Sequence, residues 1–258
     1  MLEKIDIHLT DHCNLNCKGC THYSPLAEPF YLSIEEFERD LARLSYLLSG
    51  EIGQIFLLGG EPLLHPNIKD FFPIARKLFP KTQLIIITNG VLLHKQDDSF
   101  WQACKDSNIR IWVSLYELNI DRKTPEQKAR EYGVYLGYTT PGKDEYNRRK
   151  WTKTKLDLNG KQYWIDSFEY CWVKNCVTLK HGRLYTCPTL AHIELFNKYF
   201  NQNLELSEFD YVDLYKINCR KAILDTLVKP VPFCRYCKTR EKEACFWEPS
   251  RKDINEWI

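Results

Sequence analysis

The chain has 258 residues, 44% hydrophobic and 27% charged, which allows a substantial core and excludes a disordered or fibrous class. Thirty-six Lys and Arg against 34 Asp and Glu leave a formal charge of +2, so no summed basic field marks nucleic acid or an anionic membrane as a partner. No apolar run approaches the ~20 residues a bilayer requires, and Met1 leads into a strand-like segment without a targeting peptide, so a cytoplasmic location is expected.

The first half alternates short β-branched runs with longer amphipathic stretches, the order of βα units around a parallel sheet. Residues 4–9 read as the first strand. Ser33 with Glu36 forms a capping box for a helix to about Leu48, with Ile34, Phe37, Leu41 and Leu44 on one face. Residues 54–58 form the second predicted strand and 68–78 the second helix. The third strand, 83–88, carries a run from Leu84 to Ile87 suited to burial on both faces, and Asn89-Gly90 ends it in a turn.

A third helix at 100–106 precedes a fourth strand at 110–115. Thr124-Pro125 opens a fourth helix through Tyr132, with Pro at its first position, and 134–138 form a fifth strand. This α/β pattern predicts a partial, open β/α barrel, short of the ~250 residues of a closed eightfold barrel. Any site is expected at the C-terminal ends of its strands.

Residues 139–155 are polar and basic, with Pro141-Gly142 and Arg148-Arg149-Lys150, and read as a linker or an active-site loop. Residues 156–161 carry a hairpin signal. Beyond them aromatics are frequent and cysteine spacing is the chief order. The predicted division is a barrel over 1–150 and a small Cys-rich domain over 151–258.

Eleven cysteines are many for a chain kept in a reducing compartment, so they read as ligand sets before disulfides. Cys13, Cys17 and Cys20 sit in the loop after the first strand. Three thiolates can hold three irons of a [4Fe-4S] cube and leave the fourth open; zinc with His12 or His22 as a further ligand is the alternative. Gly59-Gly60-Glu61-Pro62 follows the second strand, where two glycines allow close backbone approach and a carboxylate can oppose an ammonium.

The CxxxCxxC spacing after the first strand and the Gly-Gly-Glu-Pro segment after the second resemble the radical S-adenosylmethionine (SAM) superfamily. The resemblance implies a [4Fe-4S] cluster on Cys13, Cys17 and Cys20, with SAM on its open iron. It also implies that Gly59, Gly60, Glu61 and Pro62 hold the methionyl amino group. Asn89 and Ser114, at the ends of the third and fourth strands, would contact the ribose and carboxylate of SAM. Gly19 stands where the family commonly has an aromatic residue that covers the adenine, so His22 or Tyr23 is expected to supply that contact.

Farther on, Cys171, Gly182 and Cys187 resemble the opening of the SPASM and twitch auxiliary domains of that superfamily, and Cys234-Arg235-Tyr236-Cys237 resembles their closing pair. Cys171, Cys187, Cys234 and Cys237 would complete one auxiliary [4Fe-4S] site, with Cys176 a rival for Cys171 and zinc in the same four the alternative. The layout is similar to that of the radical SAM aminocyclitol dehydrogenases. It implies hydrogen abstraction from a polar, sugar-like small molecule and oxidation of an alcohol carbon, with an electron donor such as flavodoxin or ferredoxin.

Three other functions remain open on sequence. An epimerase would quench the substrate radical with a thiol, for which Cys245 and Cys219 are the candidate catalytic residues. A peptide-modifying maturase often carries a leader-binding domain before the barrel, for which Cys13 leaves no room. A zinc-binding adaptor would leave residues 59–62 without a role. Arg148, Arg149, Lys150, Lys153 and Lys155 form a solvated face or bind the phosphates of a substrate.

Overall fold

The computed structural model describes residues 2–139 and 150–258. Five parallel strands open the chain: β1 (Leu2–Thr10), β2 (Ile52–Gly59), β3 (Gln83–Thr88), β4 (Ile109–Ser114) and β5 (Leu136–Thr139). Between them run α1 (Ile34–Leu48), α2 (Phe71–Leu78), α3 (Asp98–Asp106) and α4 (Lys123–Tyr132). Each strand pairs in register with the next, as in Ile5 with Ile55 and Ile86 with Ile111.

Local chemistry accounts for the helix starts. Ser33 Oγ accepts from the Glu36 amide at 3.1 Å to open α1, and Asp97 accepts from the Phe100 amide at 2.9 Å to open α3. The fourth helix starts at Lys123, two residues before Pro125, because Asp121 accepts from both the amide and the hydroxyl of Thr124. Leu84, Ile85 and Ile86 are fully buried, as a central parallel strand requires.

The second half departs more from the sequence reading. β6 (Lys150–Leu156) occupies the end of the stretch expected to be a loop, and pairs antiparallel with β10 (Cys237–Phe246). Residues 156–161 are a turn and not a hairpin: Asp157 accepts from the amides of Asn159 and Lys161, bending the chain into α5 (Trp164–Glu169). β7 (Thr178–Lys180) then joins the first sheet beside β1, pairing Thr178 with Asp6, and β8 (Arg183–Tyr185) and β9 (Tyr211–Asp213) follow antiparallel.

The eight-stranded order is β5-β4-β3-β2-β1-β7-β8-β9, an open sheet. Three further helices complete the frame: α6 (Pro188–Ala191), α7 (Ile193–Phe200) and α8 (Arg220–Leu227). A large core joins the sheet to α1–α4, and a second is built from Tyr23, Phe196, Phe233 and Trp257. Among the described residues no helix is long and apolar enough to cross a membrane.

Candidate active site

The C-terminal ends of β1–β4 frame a cleft of about 280 Å³, near the ~300 Å³ at which small-molecule pockets begin. Its walls bring together Cys13, Cys17 and Cys20 after β1, Gly59, Gly60 and Glu61 at the end of β2, Asn89 after β3, and Ser114 and Tyr116 at β4. Pro62 is buried behind Glu61 as the first residue of a 3-10 turn.

Gly59 and Gly60 are required by the protein's own backbone. A Cβ at Gly59 would strike the Thr10 carbonyl, and one at Gly60 the His12 carbonyl. This close approach lets the Gly60 amide donate to Thr10 O at 2.9 Å and the Glu61 amide to His12 O at 3.1 Å, locking the end of β2 to the start of the cysteine loop.

Glu61 was expected to present its carboxylate to a ligand; three protein donors already hold it. Oε1 accepts from Thr88 Oγ1 at 2.6 Å and from the Leu63 amide at 3.1 Å, and Oε2 from the Asn89 amide at 2.8 Å. The residue is 1% exposed, and burial pushes its carboxyl up to about 7 against the pull of those donors. Glu61→Gln turns an NH₂ toward a donor, so it should lower unfolding stability by ~1.5–3 kcal/mol, read as a lower urea midpoint. An unchanged midpoint would show that these bonds do not hold in solution.

Asn89 Nδ2 donates to Asn14 Oδ1 at 2.7 Å and lies 3.8 Å from Cys13 Sγ, tying the end of β3 to the cysteine loop. Ser114 Oγ is met by Thr139 Oγ1 at 3.5 Å. Tyr23 does not face the cleft. It is 1% exposed within the second core, beside Phe196 and Trp257, because its backbone turns at φ 54°. His22 lines the cleft instead.

The thiols suit a bound metal. Burial pushes the Cys13 thiol up to about 12 and raises Cys20 as well, so their ionisation calls for a bound cation. Three thiols converging on one cleft are a donor set that fits three irons of a cluster and leaves the fourth open.

Cys171, Cys187, Cys234 and Cys237 line a second cavity, under Phe168, Leu190, Val231 and Phe233. Burial raises all four thiols, so their ionisation too calls for a bound cation. Cys176 is not among the residues lining that cavity, and the Lys4 ammonium lies 3.6 Å from its sulfur. Trp172 stands between the two cavities. It lines the cleft, and its Nε1 donates at 3.0 Å to the hydroxyl of Thr154, which lines the four-cysteine cavity.

Neither of the two proposed catalytic thiols is among the residues lining the cleft. Cys219 is exposed at the start of α8, where Arg220 pairs with Glu51 just before β2, at the opposite end of the strands from the cleft. Cys245 is half-buried on β10, its sulfur 3.9 Å from Glu243 O, and is not part of the cleft wall. Lys153 is buried and donates to Asn255 O at 2.9 Å, and Lys155 pairs with Glu243 at 2.8 Å, so neither offers a free cation for phosphate. Arg148, Arg149 and the Lys150 side chain lie outside the described residues.

Sequence reasoning missed a buried polar cluster behind the cleft. The His8 ring stacks on His192 at 3.9 Å, and its Nδ1 is bonded to Asp11 Oδ1 at 3.1 Å. Lys180 from β7 donates to Asp11 Oδ2, His192 Nδ1 and Glu194 Oε1, so an ammonium stands where these groups would gather a metal ion. No spacing signals this cluster, because β7 reaches β1 from about 170 residues away.

The model of the family described as the radical SAM superfamily matches residues 7–144. A GTP 3',8-cyclase of Chlorobaculum tepidum is 34% identical over 106 residues, covering 41% of this chain and 31% of its own. That of Aquifex aeolicus is 31% identical over 144 residues, covering 53% and 41%. The chain thus spans less than half the length of these curated relatives. Two solved structures share its fold, each at 14% identity and TM-score 0.51. BtrN, in complex with AdoMet and 2-DOIA, is matched over 92% of this chain and 93% of its own; anSMEcpe with bound AdoMet, over 91% and 82%.

Proposed function

Because the chain belongs to the radical SAM superfamily, we propose that this radical SAM enzyme oxidises an alcohol carbon of a polar, sugar-like small molecule. When bound, the [4Fe-4S] cluster and SAM of this family supply a carbon radical that takes hydrogen from an unactivated C–H bond. Cys13, Cys17 and Cys20 would hold the cluster. The backbone at Gly59–Glu61, with Asn89 and Ser114, would line the SAM site, and His22 would stand where the adenine is covered. Residues 1–150 would form the barrel unit and 151–258 the auxiliary one, whose β7–β9 extend the barrel sheet beyond β1.

Oxidation of a carbinol removes one hydrogen atom, one proton and one electron. The observation that carries the reading is the second cavity, where Cys171, Cys187, Cys234 and Cys237 would hold an electron acceptor one indole away from the cleft. BtrN, matched over 93% of its length, was solved in complex with 2-DOIA besides AdoMet, which supports a second ligand beside SAM here. Among the described residues the thiols in the cleft wall are those of Cys13, Cys17 and Cys20, so thiol quenching by Cys245 or Cys219 is not favoured.

The test is the product formed by the reduced, SAM-loaded chain from candidate aminocyclitols and sugars in heavy water. The reading predicts a product two hydrogens lighter, with no deuterium at the reacting carbon. A product of unchanged oxidation state carrying one deuterium there would mean epimerisation and defeat it.

A further inference from the structure

We propose that Trp247 is a positioning residue for the cysteine loop: its indole N–H donates to the Cys17 sulfur and makes segment 247–257 part of the cluster-binding site. The inference rests on Cys17 being a cluster ligand. Trp247 Nε1 lies 3.3 Å from Cys17 Sγ, a distance at which a sulfur accepts an N–H bond. The indole packs against Tyr116 of the cleft wall, with ring centroids 6.0 Å apart.

The backbone holds this contact in place. Lys18 N donates to Glu248 O at 2.8 Å and Ser250 N to Asn16 O at 2.7 Å, bracketing a bridge between Cys17 and Pro249. The Lys18 ammonium also pairs with the Glu248 carboxylate at 2.9 Å. At the other end of the segment Trp257 Nε1 donates to Cys20 O at 2.9 Å, and Glu256 O lies against Gly19, whose φ of +63° suits a residue without a side chain. Two tryptophans thus grip the loop from one segment, one by a ligand sulfur and one by a ligand carbonyl.

A hydrogen bond to a ligating thiolate delocalises its negative charge and favours the reduced cluster, so it raises the reduction potential. The grip on Cys20 reaches a carbonyl and should serve the loop's shape only. Sulfur contact and shape are therefore separable.

The experiment compares the full chain with Trp247→Phe, which keeps an aromatic ring and removes the N–H. Both are reconstituted anaerobically, and iron content and the midpoint potential of the SAM-binding cluster are measured. The expected result is equal iron and a potential more negative in the variant, with the reduced fraction at fixed potential falling about tenfold, or about 59 mV for one electron. Equal iron with an equal potential overturns the proposal. If the Phe variant binds less iron, Trp247→His decides, since its ring carries an N–H: recovery of iron supports the proposal and no recovery overturns it. A wild-type chain without iron would instead overturn the cluster reading itself, and the proposal with it.

Discussion

Replacing Cys13, Cys17 and Cys20 together by Ala lowers the iron of the anaerobically reconstituted chain from about eight to about four atoms and abolishes SAM cleavage. The two thiol sets occupy separate cavities, so emptying one leaves the other its ligands. The trio is partly accessible at the mouth of the cleft, and the loop backbone is held by bonds that do not involve the sulfurs: Gly60 to Thr10, Glu61 to His12, and Ser250 to Asn16. The fold should therefore survive, with the far-ultraviolet circular dichroism of the wild type. Iron that stayed at the wild-type level would remove the trio from the cluster site.

The converse variant, Cys234→Ala with Cys237→Ala, keeps about four irons and keeps SAM cleavage, but stops formation of the two-hydrogen-lighter product. Cys237 closes the second cavity at the start of β10, and Cys234 sits three residues earlier on a 3-10 turn, so the pair contributes half of the four-sulfur set. The cleft wall contains neither residue. Methionine and 5'-deoxyadenosine should still form while the substrate is recovered unoxidised. Full oxidation by this variant would mean that the second site takes no part in the electron's exit.

The legible parts of the sequence were those whose partners lie nearby. β1 to β5 and α1 to α4 follow from periodicity and from the cap at Ser33, whose bond spans three residues, while the Asp97 cap that starts α3 at Asp98 was not read. The cleft was marked by Cys13 to Cys20 and by Gly59 to Glu61, short motifs at strand ends. The missing parts depend on distant pairing. β7 is three residues long and earns its place only by lying beside Asp6 and Ile7, which no local pattern announces.

Side-chain direction was likewise hidden. Glu61 turns inward because Thr88 and Asn89 reach it from β3. Of the neighbours His22 and Tyr23, it is the histidine that lines the cleft, because the left-handed turn at Tyr23 sends the phenol into a core made by Phe196 and Trp257. Trp247 carried no signal, since its partner Cys17 lies 230 residues earlier.

The most direct test is to incubate the anaerobically reconstituted full chain with SAM and dithionite, and to measure metal content and products together. The account predicts about eight irons per chain, with 5'-deoxyadenosine and methionine formed in equal amounts. A chain that carries one or two zinc ions, holds no iron and leaves SAM intact would contradict it.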